Sequence, residues 1–212
     1  IGLGYRLVAG EAADLGAETV ADLLAALSGA QLRLCRGQGA EMAWTRRPAG
    51  AMSALDALAV YSGKTAPAFE VALYAGLRMA GRSLDSNRLR EFARSIGVAY
   101  QIQDDLQEWE APRAGEPAPG FDALAGRATL PRAFALEAAN EEERRIILAP
   151  PASAASPRQH LERLATLYER LGAFDKAREL ADRFRRKALQ AADAAGSPEI
   201  ADLLRLLVDT IL

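Results

Sequence analysis

Apolar side chains recur along this chain at steps of three and four, and clean two-residue alternation is almost absent. That period is the helical one. It predicts helices over residues 16–46, 51–81, 85–110, 122–139, 141–148, 156–171, 173–195 and 198–211, and hence an all-α protein. The punctuation agrees. "GRSLDSNRL" ends one helix at Gly81 and opens the next near Ser86. "PRAGEPAPG" (112–120) reads as a loop, because Pro removes backbone donors and Gly frees the backbone. "APPASAASP" (149–157) reads as a second loop. "GSP" (196–198) sets Gly beyond one helix and Pro at the start of the next. No fixed-period repeat and no clear linker divides the chain, so a single domain over 1–212 is expected.

Composition narrows the class. The chain has 212 residues, half of them hydrophobic and a quarter charged, which suffices for a sizeable core. A net charge of −2 argues against a general nucleic-acid binder. Charged residues interrupt every apolar run short of the roughly 18–20 residues of a membrane span. No signal peptide stands out. Cys35 is the sole cysteine, so no internal disulfide can form, and a reducing, cytoplasmic location is expected. Cys35 itself is expected in the core and the sole histidine, His160, on the surface of an amphipathic helix. Trp44 and Trp109 are expected to serve packing.

The segment "AYQIQDDLQEW" (99–109) changes the picture. On a helix, Gln101, Asp104, Asp105 and Glu108 fall at i, i+3, i+4 and i+7 and share one face. Gly97 lies one turn earlier on that face and leaves room for a close neighbour. Val98, Ile102, Leu106 and Trp109 form a separate apolar stripe. Like charges at i, i+4 repel. Two readings remain: a solvated acidic face, or a site for a hard divalent cation. An all-oxygen donor set without a His or Cys cluster favours Mg²⁺ over Zn²⁺. Mg²⁺ often takes only one or two carboxylates and completes its shell with water and phosphate oxygens.

A phosphate partner is therefore worth seeking. "YSGKTAPAFE" supplies Lys64 and Thr65. Its "GKT" is not a P-loop, because the first loop glycine would fall at Leu58 and no strand precedes it. In a chain whose other lysines are Lys176 and Lys187 and whose cations are mostly Arg, a Lys here is either an ordinary surface residue or a point-charge phosphate contact. "RGQGAEMAW" sets Gln38 and Glu41 at i, i+3, as a helix-face hydrogen-bond pair would be. "FDALAGRATLP" brings Asp122, Arg127 and Thr129 just after the proline-rich loop, and Arg127 there could equally complement a helix dipole.

These four pieces, in this order, resemble the trans-polyprenyl diphosphate synthases. That family carries GQ-x-x-D, KT, FQ-x-x-DD-x-x-D and K-A-T-L-P elements. Here they stand as "GQGAE" (37–41), "KTAPAFEVAL" (64–73), "AYQIQDDLQE" (99–108) and "GRATLP" (126–131). The resemblance implies an isoprenoid-synthase-type helical bundle around a central cavity, usually a homodimer, that joins an allylic diphosphate to isopentenyl diphosphate with Mg²⁺. It implies that Asp104 is the principal metal ligand, with Asp105 and Glu108 supporting it. Lys64 and Arg127 would hold the allylic diphosphate with Thr65 beside them. Gln101 would face the reacting isoprenoid, and Gln38 would belong to the substrate-binding set.

The chain also departs from that pattern. The first aspartate-rich motif and the upstream basic residues are absent, and "IGLGYRLVAG" resembles the helix that follows them, so an N-terminal part before Ile1 is expected. Glu108 stands for a third Asp, and Arg127 for Lys, which keeps the charge and permits a bidentate phosphate grip. Glu116 stands where Gly-Lys is usual. One charge at about 4 Å is worth roughly 4 kcal/mol at an effective dielectric near 20, so this reversal would bear on activity if the loop approaches the substrate. Three alternatives follow: a non-catalytic regulatory subunit of a heteromeric synthase, a terpenoid cyclase or transferase of the same fold, and a helical scaffold without an active site.

Overall fold

A computed structural model describes residues 2–45, 53–110, 120–127, 129–149 and 156–212. Among these residues all regular structure is helical. The helices are α1 (Gly2–Gly10), α2 (Ala12–Leu15), α3 (Ala17–Thr45), α4 (Ala54–Lys64), α5 (Ala66–Met79), α6 (Ser86–Gln107), α7 (Phe121–Leu124), α8 (Leu130–Ala138), α9 (Glu141–Leu148), α10 (Pro157–Arg170), α11 (Ala173–Asp193) and α12 (Pro198–Ile211). Glu116 and most of both predicted loops lie outside the described residues. No helix among them is long and apolar enough to cross a membrane.

Local chemistry accounts for the helix starts. Ser53 and Asp56 form a reciprocal capping box at α4, and Asn140 and Glu143 form another at α9. The Asp85 carboxylate accepts from the Asn87 and Arg88 amides at α6. Helix α6 is the axis of the core. Its Phe92, Ile96, Val98, Ala99 and Ile102 are at most 1 % exposed. One apolar cluster joins Phe92 and Ile96 to Ala188 and Ala192 of α11 and to Leu204 and Val208 of α12. A second joins Val98 and Ile102 to Val60, Tyr61, Leu130 and Ala177. The repeated alanines of α11 let it approach α6 closely. A third cluster sets Trp109 against Tyr168 and Phe174, with ring centroids 5.2 and 5.6 Å away, which is the packing role expected for Trp109.

The structure corrects several expectations. The predicted helix 51–81 is broken at Thr65 (φ −124°, ψ −49°) into α4 and α5. Pro67, in the first turn of α5, has no N–H, and its ring conflicts with the carbonyl four residues back. The predicted helix 122–139 is also divided, into α7 and α8. Gly126 at φ +67° turns the chain between them, and Pro131 lies in the first turn of α8. Cys35 is exposed, because the buried line of α3 runs through Val20, Leu23, Ala30, Gly37 and Glu41 and leaves Cys35 to one side. His160 is buried, not superficial: it continues the inward row of Leu164, Leu167 and Tyr168 one turn toward the start of α10.

Two contacts fix where the α4–α5 break lies. A Cβ at Gly37 would stand 2.3 Å from the Gly63 carbonyl carbon and 2.4 Å from the Lys64 nitrogen, so α3 crosses α4 backbone against backbone. A Cβ at Gly97 would stand 2.9 Å from the Ala66 Cα, so α6 meets the start of α5 in the same way. The break is thus clasped between two helices. Gly37→Ala tests this. Helix propensity alone would favour Ala by about 1 kcal/mol. The backbone clash should outweigh that and leave a net loss of roughly 1–3 kcal/mol, read as a lowered urea midpoint.

Candidate functional site

The break brings Lys64 and Thr65 out of an otherwise continuous helix and presents them to two neighbours. On the α3 side, Lys64 Nζ donates to Glu41 Oε1 at 2.6 Å, and Gln38 Nε2 donates to Glu41 Oε2 at 2.8 Å. Glu41 therefore holds both its helix-face partner Gln38 and the lysine of the next helix. Side-chain exposures of 14 % for Lys64 and 9 % for Glu41 make this a largely desolvated ion pair. On the α6 side, Thr65 Oγ1 donates to Gln101 Oε1 at 3.1 Å. Gln101 Nε2 then donates to Asp104 Oδ2 at 3.2 Å and lies 3.4 Å from Asp105 Oδ1.

The three carboxylates expected around a cation occupy different environments. Asp104 is exposed. Asp105 is 3 % exposed, and its Oδ2 accepts from the Tyr61 hydroxyl and, at 3.1 Å, from the Leu130 amide. Burial pushes its carboxyl up to about 7, against the pull of those two donors and of the Lys64 charge. Glu108 caps the end of α6 and reaches sideways to accept the Asp122 amide, while its own carbonyl accepts the Gly120 amide at 3.0 Å. Its Oε2 is buried without a hydrogen-bond partner among the described residues. Burial also pushes Glu108 up to about 7; the Asp122 amide opposes the shift. Among the described residues no three His, Cys, Asp or Glu side chains form a ready-made metal cluster.

Arg127 follows α7. Its guanidinium bonds Asp122 Oδ1 at 2.8 Å, and its side chain is 48 % exposed. Both Arg127 and Asp104 are close enough to Glu108 for their charges to act on it. The predicted site residues are therefore gathered. Gln38 and Lys64 meet through Glu41; Thr65 bonds Gln101, whose amide nitrogen is shared by Asp104 and Asp105; and Glu108 and Arg127 meet around Asp122. Two participants were not among the expected site residues. Glu41 was read only as the helix-face partner of Gln38, and its bond to Lys64 joins elements 23 residues apart. Tyr61 gave one faint signal, its place one turn before Lys64, whose ammonium lies 5.6 Å from the Tyr61 ring centroid. A cavity of about 480 Å³ lies on another side of α6, lined by Gln103, Leu106, Trp109, Phe174, Arg178 and Leu212, and takes in none of these carboxylates.

The family model described as Polyprenyl synthetase matches residues 5–168. An all-trans-nonaprenyl-diphosphate synthase (geranyl-diphosphate specific) of Rhodobacter capsulatus is 30% identical over 162 residues, which are 73% of this chain and 48% of the relative. A short chain isoprenyl diphosphate synthase of Methanothermobacter thermautotrophicus is 26% identical over 198 residues, 92% of this chain and 59% of the relative. A geranylgeranyl pyrophosphate synthetase of Pyrococcus horikoshii superposes with a TM-score of 0.76 at 25% identity, over 92% of this chain and 59% of that one. For a putative geranylgeranyl pyrophosphate synthase of Corynebacterium glutamicum the TM-score is 0.81 at 25% identity, over 93% and 60%. The chain thus spans about half to three-fifths of the length of these proteins.

The Glu41–Lys64 pair makes a stability prediction of its own. Lys64→Ala leaves a buried carboxylate uncompensated and should lower unfolding free energy by about 3 kcal/mol. Adding Glu41→Gln removes the orphaned charge and should restore part of the loss, and urea unfolding of the two single variants and the double variant measures both.

Proposed function

The chain belongs to the polyprenyl synthetase family, and from that premise we propose that it joins an allylic diphosphate to isopentenyl diphosphate head to tail, releasing diphosphate. The observation that carries this reading is the convergence of the four sequence elements. Gln38 and Glu41, Lys64 and Thr65, Gln101 to Glu108, and Asp122 to Leu130 are tied by direct hydrogen bonds across four separate segments of chain. A merely solvated acidic face would not need those ties.

The roles follow from each side chain's surroundings. Lys64 and Arg127 supply positive charge for a diphosphate, Lys64 as a compact point charge and Arg127 as a planar fork. Thr65 and Gln101 orient one another and offer neutral polar atoms beside it. Asp104 is the exposed carboxylate of the helix and the principal ligand for a divalent cation. The fit to Mg²⁺ is that of a hard ion with few protein ligands: one exposed carboxylate, the unpaired Glu108 oxygen as a second oxygen donor, and Asp105 fixing the helix from behind. When bound, Mg²⁺ supplies Lewis-acid stabilisation of the diphosphate.

In the proposed step the allylic carbon–oxygen bond breaks and the diphosphate leaves with the electron pair. The lysine and arginine stabilise that departing charge from fixed positions, which is where preorganised cations lower a barrier most. The homoallylic double bond of isopentenyl diphosphate attacks the allylic cation to form the new carbon–carbon bond. Loss of a proton to the released diphosphate restores a double bond. A homodimer is part of the same proposal. The alternative of a non-catalytic subunit is motivated by Glu116.

Incubation of the full-length protein with Mg²⁺, isopentenyl diphosphate and a labelled allylic diphosphate tests the reading. A longer labelled product and released diphosphate are expected; neither would appear from a non-catalytic subunit. Asp104→Ala should lower kcat by on the order of 10²–10³ without unfolding the protein, and wild-type kinetics in that variant would remove Asp104 from the proposed role.

A further inference from the structure

We propose that Tyr61 is a positioning residue that holds the Lys64, Asp104 and Arg127 groups in a common register by joining α4, α6 and the start of α8 through its hydroxyl. The functional half of this proposal rests on the diphosphate reading above.

Tyr61 is fully buried, with no exposed surface. Its hydroxyl donates to Asp105 Oδ2 and accepts the Leu130 amide at 2.6 Å. The same amide lies 3.1 Å from Asp105 Oδ2, so phenol, carboxylate and amide form a closed triangle in the core. Each corner belongs to a different element. Tyr61 lies one turn before Lys64 on α4, Asp105 is next to Asp104 on α6, and Leu130 is three residues beyond Arg127. Because the N-terminal amides of a helix have no partner within it, the Leu130 amide is a free donor that the triangle captures, and α8 is thereby fixed to the other two helices.

Packing alone does not require the hydroxyl. The ring already fills its place among Val60, Val98, Ile102 and Leu130. A phenylalanine would occupy the same volume. What the oxygen adds is a donor for a desolvated carboxylate and an acceptor for a helix-start amide, both costly to leave unmet in an apolar core. The hydroxyl of Tyr61 therefore acts on the site through Asp105 and Leu130 and touches no substrate.

Full-length protein carrying Tyr61→Phe is compared with wild type and with Ile200→Val, a core substitution on α12 far from the site. Two quantities are read well below every melting temperature: hydrogen exchange at the Leu130 amide, and binding of inorganic diphosphate in the presence of Mg²⁺ by calorimetry. Tyr61→Phe should speed exchange at Leu130 and weaken Mg²⁺-dependent diphosphate binding by on the order of tenfold, the scale of lost outer-layer support. Ile200→Val should leave both unchanged. Unaltered exchange at Leu130 in Tyr61→Phe overturns the bridge. Faster exchange with wild-type diphosphate affinity overturns its link to the site, as does an equal loss of affinity in Ile200→Val. If the wild type itself binds no diphosphate, the reading of the site falls and the functional half of this proposal with it, and the exchange measurement tells that failure from failure of the bridge.

Discussion

The arrangement depends on two places where helices touch backbone to backbone. Gly37 lets α3 press on the Gly63–Lys64 peptide, and Gly97 lets α6 press on Ala66. Between them lies the one break in an otherwise helical stretch, at Thr65. Helices normally stand 8–10 Å apart because side chains separate them. Removing the side chain at both crossings brings three helices close enough for Lys64 to reach Glu41 and Thr65 to reach Gln101 across gaps that short polar side chains can span.

That closeness sets the electrostatics. Glu41 and Lys64 lie mostly out of water, so each carries a desolvation cost that the other offsets, with help from the Gln38 amide at Glu41 and the Tyr61 ring at Lys64. Asp105 is more deeply buried, and three kinds of donor share its charge: a phenol, a backbone amide and a side-chain amide. Two adjacent aspartates on one helix thus have different tasks. The turn of the helix points Asp105 at α4 and α8 and leaves Asp104 facing solvent. Glu108, a turn further on, binds the returning chain through the Asp122 amide; the longer glutamate arm makes that reach possible.

Much of this was legible in residue order. Helical period located α3, α6, α9, α11 and α12 to within two or three residues, because each buries a regular row of apolar side chains. The shared face of Gln101, Asp104, Asp105 and Glu108 followed from the same period. The breaks were harder. Pro67 and Pro131 sit in first turns, where proline is compatible with a helix start as well as with a helix end, so the surrounding pattern reads straight through them. Cys35 and His160 were misplaced for a related reason: residue type suggests burial only on average, and the buried row of each helix is set by which side its neighbours occupy.

By itself, then, the sequence determined the helical class and the four polar elements, since each depends on side chains within a turn or two of one another. Tertiary structure alone decided that Glu41 pairs with Lys64, that the Tyr61 hydroxyl donates to Asp105 Oδ2, and that Arg127 rests on Asp122. Those partners are 23, 44 and 5 residues apart along the chain, and the two longest links exist only because glycine crossings set the distance between helices. No local pattern encodes that distance; it emerges when three helices are packed at once.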